Sequence, residues 1–437
     1  MSDRLSRRDV VRTTGKLAAA GLLGMGRAAI ARPKPVGPGG GTFSHVDSIL
    51  RAATQADDLP GVVALAATDA GIAYEGVFGR RRADAGPAMT RDTVFRIASM
   101  VKLMTSIAAL QLVEQGRLSL DAPVPDIKPE LGSPAVLDGF DAAGKAQLRP
   151  AKRPISLRHL LTHTSGFTYR LWDAKAVQYA KAIELLPADE KKRAPRTPLM
   201  FDPGERWQYG TSIDWVGRIV EHVSGEPLDA YFKKHIFDPL GMSDSGFVIA
   251  PEQRAREALS HRRGPAGSLR PQPRERQSAQ QSSQQFSQQS FSGGGGIYST
   301  APDYLTLIRM LLQGGTLNGA RILGAETVAL MGRNQIGNIE AGILKTTVPG
   351  ASNDIDFFPG ISLRWGFGHM INLDPVPDGR SAGSLTWGGL LNTYYWIDPA
   401  RRIAAVFMTQ VLPFADRRVL RVYREFERGV YAAVRSS

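Results

Sequence analysis

The sequence predicts an α+β fold: an antiparallel sheet built from the N- and C-terminal segments, flanked by helices, with an all-helical lobe inserted between. Three observations predict it. Two apolar runs with strand character fill residues 61–81. Four more strand-like segments lie between 363 and 410. Between these ends the apolar residues recur at helical spacing, and one more helix closes the chain. With 437 residues, 43% of them hydrophobic, the chain can bury a substantial core. Charged residues make up 22% and are of mixed sign, which argues against global disorder.

The N-terminus reads as an export signal. Arg7-Arg8 is followed by a short apolar stretch from Leu17 to Met25 and by Ala29-Ile30-Ala31. Twin arginine, modest apolar core and a small-residue end predict a twin-arginine leader over 1–31, cut after Ala31, and a periplasmic protein. The stretch is too short to span a bilayer, and no membrane span is expected elsewhere. Residues 32–42, "RPKPVGPGGGT", form a Pro/Gly tether.

The globular part is expected over 43–437. "GVVALAATDAGIAYEGVFGRR" reads as a hairpin turning at Asp69-Ala70-Gly71. "SMVKLMTSIAALQLVEQG" is a helix with apolar residues at helical spacing and Gly116 as its stop. "SLRHLLTHTSG" is a second, with Ser156 as N-cap and Gly166 as stop. "TSIDWVGRIVEHVSG" and "PLDAYFKKHIF" are consecutive helices. "TAPDYLTLIRMLLQGG" starts at a capping Thr300 with Pro302 in its first turn. "LRWGFGHMI", "SLTWGG", "TYYWIDP" and "RIAAVFMTQ" are strands, and a last helix carries Leu420, Tyr423, Phe426 and Val430 on one face. The α/β part thus covers about 43–98 and 297–437, and the helical lobe about 99–276. Residues 277–290 are a low-complexity Gln/Ser loop.

Composition removes several chemistries. The absence of cysteine excludes disulfides, thiolate metal sites and a cysteine nucleophile. The formal net charge of +13 invites a nucleic-acid reading, but no zinc finger, recognition helix or aromatic-interleaved basic stripe accompanies it, so no nucleic-acid partner is expected. His159 and His163 have a two-ligand metal spacing, without a glutamate between them or an evident third ligand. They read as packing or hydrogen-bonding residues. "GGGG" at 293–296 lacks the following Lys-Ser/Thr of a phosphate loop and reads as a bend or close backbone approach. Neither metal nor cofactor is expected.

Two serines remain as candidate nucleophiles. Ser381 lies in "GRSAG", the pattern of a nucleophile elbow. An elbow needs a strand before and a helix after; here a Pro-rich turn precedes and a strand follows. A Ser-Asp-His order also needs a later histidine, and all seven precede Ser381. Gly379–Gly383 therefore reads as a hairpin turn. The other is Ser99 in "FRIASMVKLMTS", with Lys102 three residues on. Positions i and i+3 share a helix face. A buried amine near a helix N-terminus gives up its proton more readily, and can then serve as a base for the serine. On spacing alone, a capped serine with a snorkelling lysine fits equally well.

Six stretches in order change that balance: "FRIASMVKLMTS", "LLTHTSG", "PGERWQYGTSIDWVGRIVEHVSG", "IFDPLGM", "GGGGIYSTAPDYLTLIRMLLQGG" and "WGGLLNTYYWIDP". Over nearly the whole mature chain they resemble the serine β-lactamase and penicillin-binding-protein superfamily, in its branch of class C β-lactamases and family VIII carboxylesterases. The resemblance implies a β-lactamase/transpeptidase-like fold. It implies Ser99 as the acylated nucleophile, Lys102 as its activating partner, and Tyr209 of "YGT" as the base acting with Lys102. It implies an oxyanion hole from the backbone N–H groups of Ser99 and Leu390. Thr211, Trp387, Gly388 and Gly389 would line the substrate site. Two departures shape the substrate expectation. Trp387 replaces the lysine that opens the class C strand motif, and Thr211 replaces an asparagine. Both remove polar groups suited to a β-lactam. The expected partner is a small-molecule ester, with weak β-lactam turnover. A β-lactamase, a D-amino-acid peptidase, a transacylase, or a non-catalytic penicillin sensor that acylates without turnover are the alternatives.

Overall fold

A computed structural model describes residues 43–132, 134–195, 197–274 and 291–435. The export signal (1–31), the tether (32–42) and the Gln/Ser loop (277–290) fall outside the described residues.

Seven strands form one antiparallel sheet: β1 (Gly61–Thr68), β2 (Gly71–Gly79), β3 (Leu363–Trp365), β4 (Met370–Asn372), β5 (Leu385–Gly389), β6 (Thr393–Asp398) and β7 (Ile403–Met408). Their spatial order is β3-β4-β5-β6-β7-β1-β2. The first hairpin therefore joins the last strands, with Leu65 opposite Val406 and Glu75 on its two sides. β1, β6 and β7 are almost continuously buried rather than alternating. Helices on both faces explain this. Tyr394 and Trp396 stack on Tyr423 and Phe426 of α6 (Arg417–Arg435), while Tyr395, pointing the other way, meets Tyr304 of α5 (Ala301–Leu312). Each such aromatic contributes about 1.5–3 kcal/mol by burial. α1 (Ser44–Gln55) packs beside α6 and β2.

Helix α2 (Val101–Glu114) is buried on every side from Val101 to Leu112, because it runs between the sheet part and the helical lobe. Its stop is Gly116, whose φ of 68° favours a residue without Cβ. The capping residues read from the sequence perform as expected. Ser156 accepts the His159 N–H at the start of α3 (Leu157–Leu161), and Thr300 accepts the Asp303 N–H at the start of α5.

Two expectations need correction. α3 does not run to Gly166; it ends at Leu161, since His163 turns the chain out of the helix with a φ of 57°. Gly166 instead allows a close approach, because a Cβ there would lie 2.4 Å from the Phe201 carbonyl oxygen. Nor is the inserted lobe all-helical. Ala135–Phe140 and Ala146–Pro150 form a hairpin in it, and His261–Arg263 pairs with Leu269–Pro271 and with Val411–Leu412. The tight turn from Asp141 to Gly144, where Gly144 N–H donates to the Asp141 carbonyl, gives the first hairpin its local cause. Among the described residues no helix is long and apolar enough to cross a membrane.

Candidate active site

The position of Ser99 follows from a two-strand pairing. Val94–Arg96 runs antiparallel to Tyr298–Thr300, and Ile97 N–H donates to the Ile297 carbonyl at 3.1 Å. That register brings the chain entering α2 alongside the chain leaving the glycine run. Ala98 then takes a φ of 45°, rare for a residue with a Cβ. Ser99 follows in a short 3₁₀ turn, Ala98–Met100, that leads into α2. Strain of this kind concentrates where a side chain must be held out at a fixed angle.

Lys102, one turn on, is 1% exposed. Its Nζ donates to the Gly294 carbonyl at 2.8 Å, to Ser99 Oγ at 3.2 Å and to the Tyr169 hydroxyl at 3.2 Å. An ammonium has three N–H groups, and three acceptors stand around this one. Its charge also lies 4.9 Å from the ring centroid of Tyr209 and 5.3 Å from that of Tyr169.

Ser99, Lys102 and Tyr209 are therefore brought together. The contact between Lys102 and Tyr209 is to the ring face. The Tyr209 oxygen accepts the Trp387 indole N–H at 3.2 Å. His163 stacks on the same ring at 4.8 Å and has no hydrogen-bond partner on either ring nitrogen among the described residues. Burial and the charge of Lys102 hold its pKa well below the ordinary histidine value, so it is a neutral aromatic wall. His159 bonds to Ser156 at its own helix start. Among the described residues no His/Asp/Glu group could hold a metal ion.

Glycines bring the remaining backbone in. A Cβ at Gly389 would lie 2.3 Å from the Ile97 carbonyl oxygen, so the end of β5 abuts the Ser99 turn. Leu390 is the residue that follows Gly389. Gly388 pairs with Tyr394 across the strands, against whose ring a Cβ would clash at 2.7 Å. Gly210 touches Phe167, and Tyr169 N–H donates to the Tyr209 carbonyl at 3.3 Å. Thr211 is buried at the head of α4 (Ser212–Ser224), where its carbonyl accepts the Asp214 N–H.

Ser381 is placed elsewhere. It lies in the turn between β4 and β5, its N–H donating to Asp398 at 2.9 Å. The "GRSAG" pattern has a structural cause. Arg380 is fully buried, bonding Glu427 through Nε at 2.8 Å and Nη2 at 2.7 Å, and Gly379 leaves room for that carboxylate.

Three members of the site escaped the sequence reading. Tyr169 is the phenol that Lys102 actually bonds. Asp214 is buried and accepts the hydroxyls of Tyr169 and Ser292 and the N–H of Gly294. Gly294 supplies the carbonyl facing Lys102. The available signal was Asp214 itself, an acid between Ile213 and Val216 on the buried side of α4.

The chain is similar to known proteins over most of its length. A family model described as Beta-lactamase matches residues 46–428. The chain is 32% identical over 425 residues to the ML-236A carboxylate methylbutanoyltransferase mlcH of Penicillium citrinum, covering 92% of this chain and 97% of that one. It is 32% identical over 404 residues to the lovastatin esterase of Penicillium rubens, covering 88% and 98%. Its fold is similar to the LovD9 mutant of simvastatin synthase from Aspergillus terreus, with a TM-score of 0.78, 30% identity, and coverage of 91% and 100%. By fold, by family match and by relatives that share almost its whole length, this chain belongs to the Beta-lactamase family.

Proposed function

We propose that the chain transfers acyl groups through an ester on Ser99, and that it acts as a carboxylesterase on small neutral esters. The observation that carries this is the buried Lys102 ammonium 3.2 Å from Ser99 Oγ, with Tyr209 stacked over it. Two tyrosines flank that amine, and their surroundings separate their roles. Tyr169 faces Asp214; burial and that carboxylate hold its pKa well above the ordinary value, so it stays a neutral phenol. Tyr209 has the Lys102 amine over its ring and the Trp387 indole N–H on its oxygen. The Tyr209–Lys102 pair takes the serine proton.

Ser99 Oγ bonds to the ester carbonyl carbon while its proton passes to the pair. The oxyanion that forms is held by the N–H groups of Ser99 and Leu390, each donor worth about 10²–10³ in rate. Collapse breaks the bond to the alcohol, which leaves with the proton. Water then repeats the sequence and frees the acid.

Trp387 supports an ester over a β-lactam. Its ring closes the site where a lysine would meet an anionic substrate, and its N–H is already spent on Tyr209. β-Lactams are therefore poor substrates. The similarity to a methylbutanoyltransferase supports a second reading, in which an alcohol replaces water as acyl acceptor.

Short p-nitrophenyl esters assayed beside a chromogenic cephalosporin, with and without an added alcohol, test these readings. Ser99→Ala abolishes turnover and Ser381→Ala keeps most of it. Activity that follows Ser381 overturns the assignment. Mass spectrometry showing a persistent penicillin adduct and no ester hydrolysis would replace the enzyme by a sensor.

A further inference from the structure

Asp214 is a buried carboxylate that the acyl-transfer steps do not use. It lies in the first turn of α4. Gly294 N–H donates to it at 3.2 Å, Tyr169 at 3.4 Å, and Ser292 Oγ closely. Two of these three partners carry, on their other side, an acceptor for Lys102. The Tyr169 oxygen and the Gly294 carbonyl both receive the ammonium. Glycine at 294 is required, since a Cβ would come within 2.7 Å of the carboxylate. The same face of α4 brings Gly217 against Gly293, which pins the loop to the helix.

We propose that Asp214 is a positioning residue that holds Lys102 and stabilises its charge through two neutral bridges, the Tyr169 hydroxyl and the backbone of Gly294, whose N–H faces the carboxylate and whose carbonyl faces the amine. This rests on the reading of Ser99 and Lys102 given above. A direct Asp–Lys pair would draw the amine off the serine. A bridged pair keeps the countercharge in the buried site and leaves one N–H of the ammonium for Ser99 Oγ. The other groups facing Lys102 are Tyr209 and His163, and the glycine run adds no titratable side chain. Arg218, a turn along α4, also lies in the field of Asp214, and in that of Glu221 and Glu130. It is a guanidinium and keeps its charge across the assay range.

Asp214→Asn keeps the shape and removes the charge. Without that charge the Tyr209–Lys102 pair gives up its protons more easily, so both limbs of the kcat/KM profile move to lower pH, by about one unit. The plateau of kcat falls about tenfold or more as the amine loses its fixed position. Tyr169→Phe removes one bridge and shifts the limbs the same way; it also serves if Asp214→Asn does not fold. A purely structural role would lower the plateau or the melting temperature and leave the limbs in place, and that result in either folded variant overturns the proposal. Ser99→Ala run alongside separates the failures. Residual activity there overturns the site reading and the proposal with it, whereas an inactive Ser99→Ala with unmoved limbs in Asp214→Asn overturns the proposal alone.

Discussion

Replacing Trp387 with Phe tests how the site handles the serine proton. The change removes the indole N–H that donates to the Tyr209 oxygen at 3.2 Å. It leaves an aromatic ring between Trp365 and Phe357, whose centroids lie 4.7 and 5.3 Å from that of Trp387. Tyr209 and Trp387 are 1% and 2% exposed, so water cannot readily replace the lost donor. A hydrogen bond to a charged oxygen is worth about 1.5–3 kcal/mol, against about 1 kcal/mol for a neutral one. The difference, about 1 kcal/mol, is what the indole adds to the deprotonated pair over the protonated one. It corresponds to about 0.7 pH unit. The acid limb of kcat/KM therefore moves to higher pH by roughly that amount, opposite in direction to Asp214→Asn. On the acid side the rate drops about fivefold. Ester hydrolysis followed by pH-stat across the limb measures it. The smaller ring also costs about 1–3 kcal/mol of packing, read separately as a lower melting temperature. A limb that stays in place while KM rises would show that the indole is only a wall, and the assignment of the proton to the Tyr209–Lys102 pair would lose its support.

Two further predictions concern stability. Burial pushes the Asp303 carboxyl from its ordinary 3.8 up to about 6. The native state then holds that proton more tightly than the unfolded chain, so the stability it gives is complete below about pH 3.8 and is lost as pH rises through about 6. Two pH units are worth about 3 kcal/mol, and the helix N-terminus that favours the charge offsets about 0.3–1 kcal/mol of it. Asp303→Asn, able to accept from Asp244 N–H and Ser245 as the acid does, should be more stable than the parent at pH 7 by about 2 kcal/mol. Urea midpoints from pH 4 to 7 that run parallel for the two proteins would dismiss this. Glu427→Gln leaves the Arg380 guanidinium buried without its countercharge and should cost about 3–5 kcal/mol in urea unfolding; a loss under 1 kcal/mol would mean that Tyr423 and the Trp396 face suffice to hold it.

Local rules carried far along this chain. The hairpin at Asp69–Gly71, the caps at Ser156 and Thr300, and the aromatic face of the last helix are each set by residues a few positions apart, and each is found where it was read. The hairpin at 135–150 was missed because it is short, polar and half-exposed, with little apolar contrast to mark its period. α3 was read too long because nothing in "LLTHTSG" announces that a histidine will adopt a left-handed backbone. The turn read at Gly379–Gly383 is found between β4 and β5, but its reason, a buried arginine anchored on Glu427, is a long-range pairing.

The sequence by itself determined the class of fold and put Ser99 and Lys102 one turn apart, because a three-residue spacing is a local fact. Only the tertiary structure decided what surrounds that pair. Tyr169, Tyr209 with Asp214, Gly294 and Trp387 come from four segments as far apart as positions 169 and 387. Strand register and glycine-permitted contacts bring them within hydrogen-bonding or stacking distance of one another. Which phenol faces a cation and which faces a carboxylate depends on those long-range contacts, and no spacing along the chain encodes it.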